Sequence, residues 1–289
     1  MSSTKEIKRR IKSVQNTEQI TRAMEMVAGA KLRKAQGWLE ASRPYGEHLM
    51  QVIKRVMAYS LELEHPFFEE REVKSAGYLV ITSDRGLCGG YNTNLMRRVT
   101  GELDSSTDNQ FLVLGRKGKD YLRRRGYNIV SEYLNLEDIP SWETAQSVGE
   151  MGVQMFKDGV IDELYLCYNY FINALQQRPT IQRLLPLLPP DPEELPDPGE
   201  TLYFQYEPGV ESVLDSLFPR YINSSIYSAL LEAKTSEHGA RRTAMNAATK
   251  NAEEVIDELT YSYNQARQAA ITQELLEIVS SAEALRQES

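Results

Sequence analysis

Cysteine is nearly absent from this 289-residue chain, and Cys88 and Cys167 are its only two examples. They stand far apart, which excludes a disulfide framework and points to a reducing compartment. Histidine is equally scarce. His48, His65 and His238 are scattered, so there is no Cys/His spacing of a zinc site and no base near Cys88 that would make it a nucleophile. No window approaches the roughly 18 apolar residues of a membrane helix, and mean hydropathy is −0.46. Work at a membrane would therefore run through partners, with no direct membrane span. Residues 5–12 read KEIKRRIK with no apolar stretch behind them, so no secretory signal is expected. The last 70 residues lack proline altogether and hold one glycine, Gly239.

What is present is charge, unevenly spread. The net charge is −8, yet residues 1–60 are basic (+7) while residues 61–210 (−10) and 211–289 (−5) are acidic. A basic end and an acidic middle imply different neighbours. The basic run Lys5 to Lys12 is too small, in a chain of this net charge and without a reading module, to indicate nucleic acid.

Two segments have helical periodicity. From about Thr4 to Tyr59, apolar or small residues recur three or four apart at Ile7, Ile11, Val14, Ile20, Met24, Val27, Leu32, Ala35, Trp38, Leu49, Val52, Ile53 and Val56. Pro44 predicts a kink or break near Arg43. A second helix is predicted from about Gly209 to Arg286. Between them lie β-rich runs at Ala76 to Thr82, Gln110 to Gly115, Tyr127 to Tyr133, Glu163 to Ile172 and Leu202 to Tyr206. Helical stretches at Tyr91 to Leu103, Lys117 to Arg125 and Trp142 to Asp158 separate several of them. That alternation predicts a small Rossmann-like α/β domain with a largely parallel sheet. The fold class expected is thus α+α/β: segments 1–60 and 209–289 form a long antiparallel two-helix coiled coil, and 61–208 forms an α/β foot.

Helix lengths carry the strongest inference. At about 1.5 Å per residue a first helix of about 52 residues reaches ~78 Å and a second of about 76 reaches ~114 Å, leaving roughly 36 Å of the second without a partner in the chain. With both helices starting level at the foot, that surplus is Ser262 to Arg286. It contains Ile271, Leu275, Leu276, Ile278, Val279 and Leu285, an apolar surface that something else must surround.

Glycine-rich DRGLCGG (Gly86, Gly89, Gly90) follows a strand and precedes a helix, but its spacing fits neither GxGxxG nor GxxxxGK[ST]; GRKGKD at 115–120 fails too. A tight turn against the long helices is the better reading, and no cofactor, metal or catalytic residue is expected. Asp84-Arg85 is expected to be a structural ion pair or a turn contact. On residues alone, Arg267 and Gln268 read as a solvated helix face. A soluble α/β enzyme or adaptor that dimerises through its coiled coil stays open beside an interaction shaft.

IKRRIKSVQNTEQITRAMEMVAGAKLRKAQ, ITSDRGLCGGYNTNL and YNQARQAAITQELLEIVSSAEAL, in that order, resemble the gamma subunit of F-type ATP synthases. The resemblance implies a non-catalytic central shaft that turns inside a hexamer of alpha and beta subunits. Its foot would rest on the membrane c ring beside the epsilon subunit, coupling ion flow to ATP synthesis and hydrolysis at beta. It also implies peripheral attachment at the cytoplasmic side of the cell membrane. Carried over residue by residue, Arg267 and Gln268 would form a polar catch on beta loops. Met24 would pass the moving beta lever, with Arg22, Lys31, Arg33 and Lys34 near its acidic surface. Ile271, Leu275, Ile278, Val279 and Leu285 would sit in an apolar sleeve, and Phe204, Tyr206 and Glu207 would face the c ring. Ser280-Ser281 departs from the glycine-containing step usual before the final AEAL. The regulatory dithiol insertion of the chloroplast form is missing, and with no transit peptide a bacterial source is expected.

Overall fold

The computed structural model describes residues 4–58, 66–187, 207 and 209–287, with the side chains of residues 57, 58 and 283–287 left aside. Two long helices bracket the chain: α1 (Thr4–Ala58) and α5 (Val210–Gln287). Between them come β1 (Ser75–Ile81), α2 (Tyr91–Gly101), β2 (Asp108–Leu114), α3 (Arg116–Arg123), β3 (Asn128–Tyr133), α4 (Trp142–Lys157), β4 (Glu163–Phe171) and β5 (Gln177–Leu185). The expected strand at Leu202 to Tyr206 lies outside the described residues.

The chain divides into two compact units, Ala28–Arg242 and the pair Met1–Val27 with Thr243–Ser289. In the larger unit, five strands form one sheet in the order β3-β2-β1-β4-β5. β1 to β4 are parallel, and β5 returns antiparallel along β4. Both faces are covered, which is why β1 reads as an almost unbroken apolar run. Alternate residues serve the two faces. Tyr78, Val80, Phe111, Val113 and Cys167 pack with Leu95, Met96 and Val99 of α2 and Leu122 of α3. Leu79, Ile81, Leu112, Leu114, Leu164 and Leu166 pack with Val148 and Phe156 of α4, Leu49 and Ile53 of α1, and Leu214, Phe218, Ile222 and Ile226 of α5. Ser141 caps α4 by accepting from the Thr144 amide at 3.2 Å, and Glu143 sits in its first turn where the dipole favours an acid.

Of the kink or break expected near Arg43, the break does not occur: α1 runs through Pro44 as one helix. Proline removes one backbone bond, but buried Leu39 precedes it and buried Leu49 and Ile53 follow it, so packing on both sides holds the helix. The apolar stripe is also narrower than its periodicity implied, since Ile20, Val27, Trp38 and Val52 are exposed. β5 is a strand that the sequence pattern did not reveal.

In the smaller unit, α1 and α5 run antiparallel. Thr249 donates its hydroxyl to Thr21 at 2.8 Å, and the Asn246 amide reaches Glu25 at 3.1 Å. Ile7, Met245 and Ala252 are buried in the seam. Counting from Thr21 back to Thr4, and equally far forward from Thr249, ends at Ala266. From Arg267 through Ala282 every residue is exposed. The unpartnered stretch thus begins a few residues later than expected, because the pairing continues to the first described turn of α1.

Candidate interaction surfaces

Asp84 closes the glycine-rich loop. Its carboxylate accepts from the backbone amides of Arg116 at 3.0 Å, Asn135 at 3.1 Å and Leu136 at 2.9 Å. It is a turn contact, tying the loop after β1 to those after β2 and β3. Leu87 (φ 61) and Gly89 (φ 58) take left-handed backbone to complete the turn, and Leu87 points to solvent, 61% exposed. Cys88 is buried behind it, with the Asn92 amide donating to Sγ at 3.3 Å, and burial pushes its thiol up from the ordinary value. Cys167 is fully buried in β4, and burial pushes its thiol up strongly. Burial of both thiols disfavours the thiolate that a reactive cysteine needs.

Arg241 of α5 reaches the carbonyls of Arg85 and Gly86 at 3.4 Å. The turn therefore rests against a long helix, as its glycines suggested. Gly115 follows β2 at φ 97, and a Cβ there would lie 2.2 Å from the Thr82 carbonyl oxygen; only glycine lets the backbone pass.

The expected interaction residues fall in several places. Arg267 and Gln268 are exposed on α5 at the start of its uncovered stretch, and Ile271 (49%), Leu275 (57%), Ile278 (65%) and Val279 (59%) follow them. Leu276 joins them at 58%. Apolar residues so exposed along one helix form a surface that water solvates poorly. Leu285 lies within α5, its side chain outside the described part. Met24 is half-buried on α1 beside exposed Met26 and Val27. Arg22 already bridges Glu18 at 2.9 Å and Glu253 at 2.5 Å, and Lys31 is paired with Asp138 at 2.7 Å. Arg33 and Lys34 are exposed. Glu207 is exposed; Phe204 and Tyr206 lie outside the described residues. No helix among the described residues is long and apolar enough to cross a membrane.

Every residue of α5 from Ala229 to Gly239 is buried, including Glu232, Lys234, Thr235, Ser236, Glu237 and His238. In a helix, such a polar run ordinarily marks the solvated face. Its burial comes from residues far away in the chain, which periodicity does not reveal.

The family model for ATP synthase matches residues 3–285. The ATP synthase gamma chain of Halothermothrix orenii is 47% identical over 287 residues, covering 99% of this chain and all of that one. The gamma chain of Moorella thermoacetica is 48% identical over 287 residues with the same coverage. Among solved structures, a chain of the central stalk and c-ring of Tetrahymena thermophila mitochondrial ATP synthase matches with TM-score 0.61 and 27% identity, over 79% of this chain and 99% of that one. A chain of the Euglena gracilis mitochondrial ATP synthase shares the fold at TM-score 0.70 and 19% identity, over 98% of this chain and 94% of that one. With full-length identity near one half, and with the expected helix–sheet–helix order in place, the chain belongs to the ATP synthase gamma-chain family.

Proposed function

We propose that the chain is the central rotor shaft of an F-type ATP synthase. It couples ion flow through a membrane c ring to ATP synthesis and hydrolysis at the beta subunits of an alpha/beta hexamer. The observation that carries this is the uncovered apolar helix from Arg267 to Ala282, a surface that calls for an enclosing partner. Relatives named as gamma chains align with it from end to end. The shaft comprises 1–60 and 209–289, and the foot 61–208.

In this reading the chain makes and breaks no bond. Its asymmetric surface presents a different face to each beta subunit, and differential contact shifts that subunit's nucleotide affinity. Arg267 offers a forked guanidinium to carboxylates, and Gln268 offers a donor and an acceptor together, which suits a catch on beta loops. Ile271, Leu275, Ile278, Val279 and Leu285 fill the sleeve. Met24 faces the beta lever, with Arg33 and Lys34 free to meet acid nearby; Arg22 acts there only as far as its pairs with Glu18 and Glu253 allow. Phe204, Tyr206 and Glu207 face the c ring, with the epsilon subunit beside them. The chain works peripherally at the cytoplasmic side of the cell membrane.

The double substitution Arg267→Ala, Gln268→Ala tests the catch. ATP synthesis by the reassembled complex is expected to fall by about tenfold, the loss of two directional contacts, while the α/β foot keeps its circular dichroism. Unchanged synthesis and hydrolysis would remove the catch from the account.

A further inference from the structure

The buried polar run of α5 is a place where the sheet domain holds this helix by directional bonds. The Glu232 carboxylate accepts from the Phe171 amide at the end of β4 (2.7 Å) and lies 3.4 Å from the Arg43 guanidinium of α1. The Tyr91 hydroxyl, at the start of α2, donates to the Ala233 carbonyl at 2.9 Å. The Ser236 hydroxyl donates to the Asn169 carbonyl at 2.9 Å, and the Asn169 amide returns to the Tyr91 carbonyl at 3.3 Å. Glu237 pairs with Arg241 at 2.8 Å while Arg241 holds the carbonyls of Arg85 and Gly86. The β4–β5 hairpin presses on Gly239, where a Cβ would meet the Ala174 carbonyl oxygen at 3.3 Å.

Stability alone does not account for this. Buried polar and ionic groups lose hydration, and apolar residues of similar volume fill such a site at equal or lower cost. What directional bonds add is resistance to displacement. Apolar contact is non-directional, whereas a hydrogen bond weakens steeply as its angle closes. The ties also surround the helix: at about 100° per residue, Arg241 lies roughly 180° around α5 from Glu232. Bonds on opposite sides of a rod resist twisting in both senses. By contrast, Leu214, Phe218, Ile222 and Ile226 of the same helix meet the sheet through apolar packing.

We infer that residues Glu232 to Arg241, held by Tyr91, Asn169, Phe171 and the Arg85–Gly86 carbonyls, form a torsional collar through which twisting force passes between the sheet domain and α5. This rests on the rotor reading above and adds where in the fold the force is carried. Tyr91, Ser236, Glu232 and Arg241 are positioning residues in this sense: they touch neither nucleotide nor ion.

The test uses the complex assembled with alpha and beta, its shaft locked by a non-hydrolysable nucleotide and a rotational probe fixed to the sheet domain. With Tyr91→Phe and Ser236→Ala together, the angular variance of the probe is expected to rise about twofold, because directional bonds resist the twist. Unloaded ATP hydrolysis is expected to stay unchanged. Ile226→Val, which loosens apolar packing of the same helix, is expected to lower thermal stability while leaving the variance as it was. Equal variance in the collar variant and the wild type, or equal widening in the collar variant and Ile226→Val, would overturn the collar. Should the double variant not assemble, Tyr91→Phe alone, which removes one hydroxyl, is judged by the same criterion. Failure of the wild-type chain to assemble with alpha and beta would instead defeat the rotor reading.

Discussion

His238 is buried on α5 with both ring nitrogens unpaired by hydrogen bonds, and burial holds its pKa down at about 4. Asp138 stands 3.8 Å away, and Glu237, Arg241 and Lys234 also act on it, but desolvation dominates. A histidine depressed in the folded state contributes stability that is present above its unfolded pKa of 6.5 and is lost as pH falls through its folded value. Unfolding free energy should therefore drop between pH 6.5 and about 4, by as much as about 3 kcal/mol at 1.36 kcal/mol per pKa unit. His238→Phe should flatten that slope in urea titrations followed by the fluorescence of Trp142, which packs between Tyr45 and Tyr227. An unchanged slope would place the proton uptake elsewhere. Gly115→Ala is expected to cost more than about 3 kcal/mol, combining left-handed strain with overlap on the Thr82 backbone. A midpoint within the error of the wild type would refute that. For Asp84, an ion pair or a turn contact was legible from DRG between a strand and a helix; which of the two, and its three amide partners, were not, because two of them lie beyond β3.

At the scale of elements, the continuity of α1 through Pro44 makes a definite prediction. Pro44→Ala restores one backbone bond to a helix already held on both sides, and should stabilise the chain by about 1–3 kcal/mol. A lower urea midpoint would show that Pro44 is needed for the path of the helix. Helices and parallel strands were legible because their patterns are local: AGYLVI and QFLVLG are runs buried on both faces, and α4 carries its own serine cap. β5 was not, because QRPTIQRLL mixes polar residues with Pro179. It is an edge strand, where proline is tolerated and one side stays open. The burial of the polar stretch of α5 was not legible either, because it depends on Tyr91, Asn169 and Phe171, which only the folded chain brings to it.

For the whole molecule, the length difference between the two helices was the feature that pointed to a partner, and it was available from periodicity alone. The exposed stretch of α5 after Ala266 is that surplus, shortened by the few residues over which α1 still pairs. Truncation after Tyr261 should loosen the fit to alpha and beta while sparing the sheet domain, whose core is built from Leu79, Leu112, Leu166 and Phe156. Limited proteolysis yielding a stable fragment that contains the sheet is the expected outcome; collapse of the circular dichroism signal would show that the surplus helix supports the foot. As a shaft, the chain works as a single copy enclosed by other subunits. Purifying a tagged copy with its native partners, and weighing the complex by native mass spectrometry alongside an ATPase assay, tests this. One copy with three alpha and three beta subunits, and no ATP hydrolysis by the isolated chain, is the expected result. A symmetric self-associated chain with turnover of its own would contradict it.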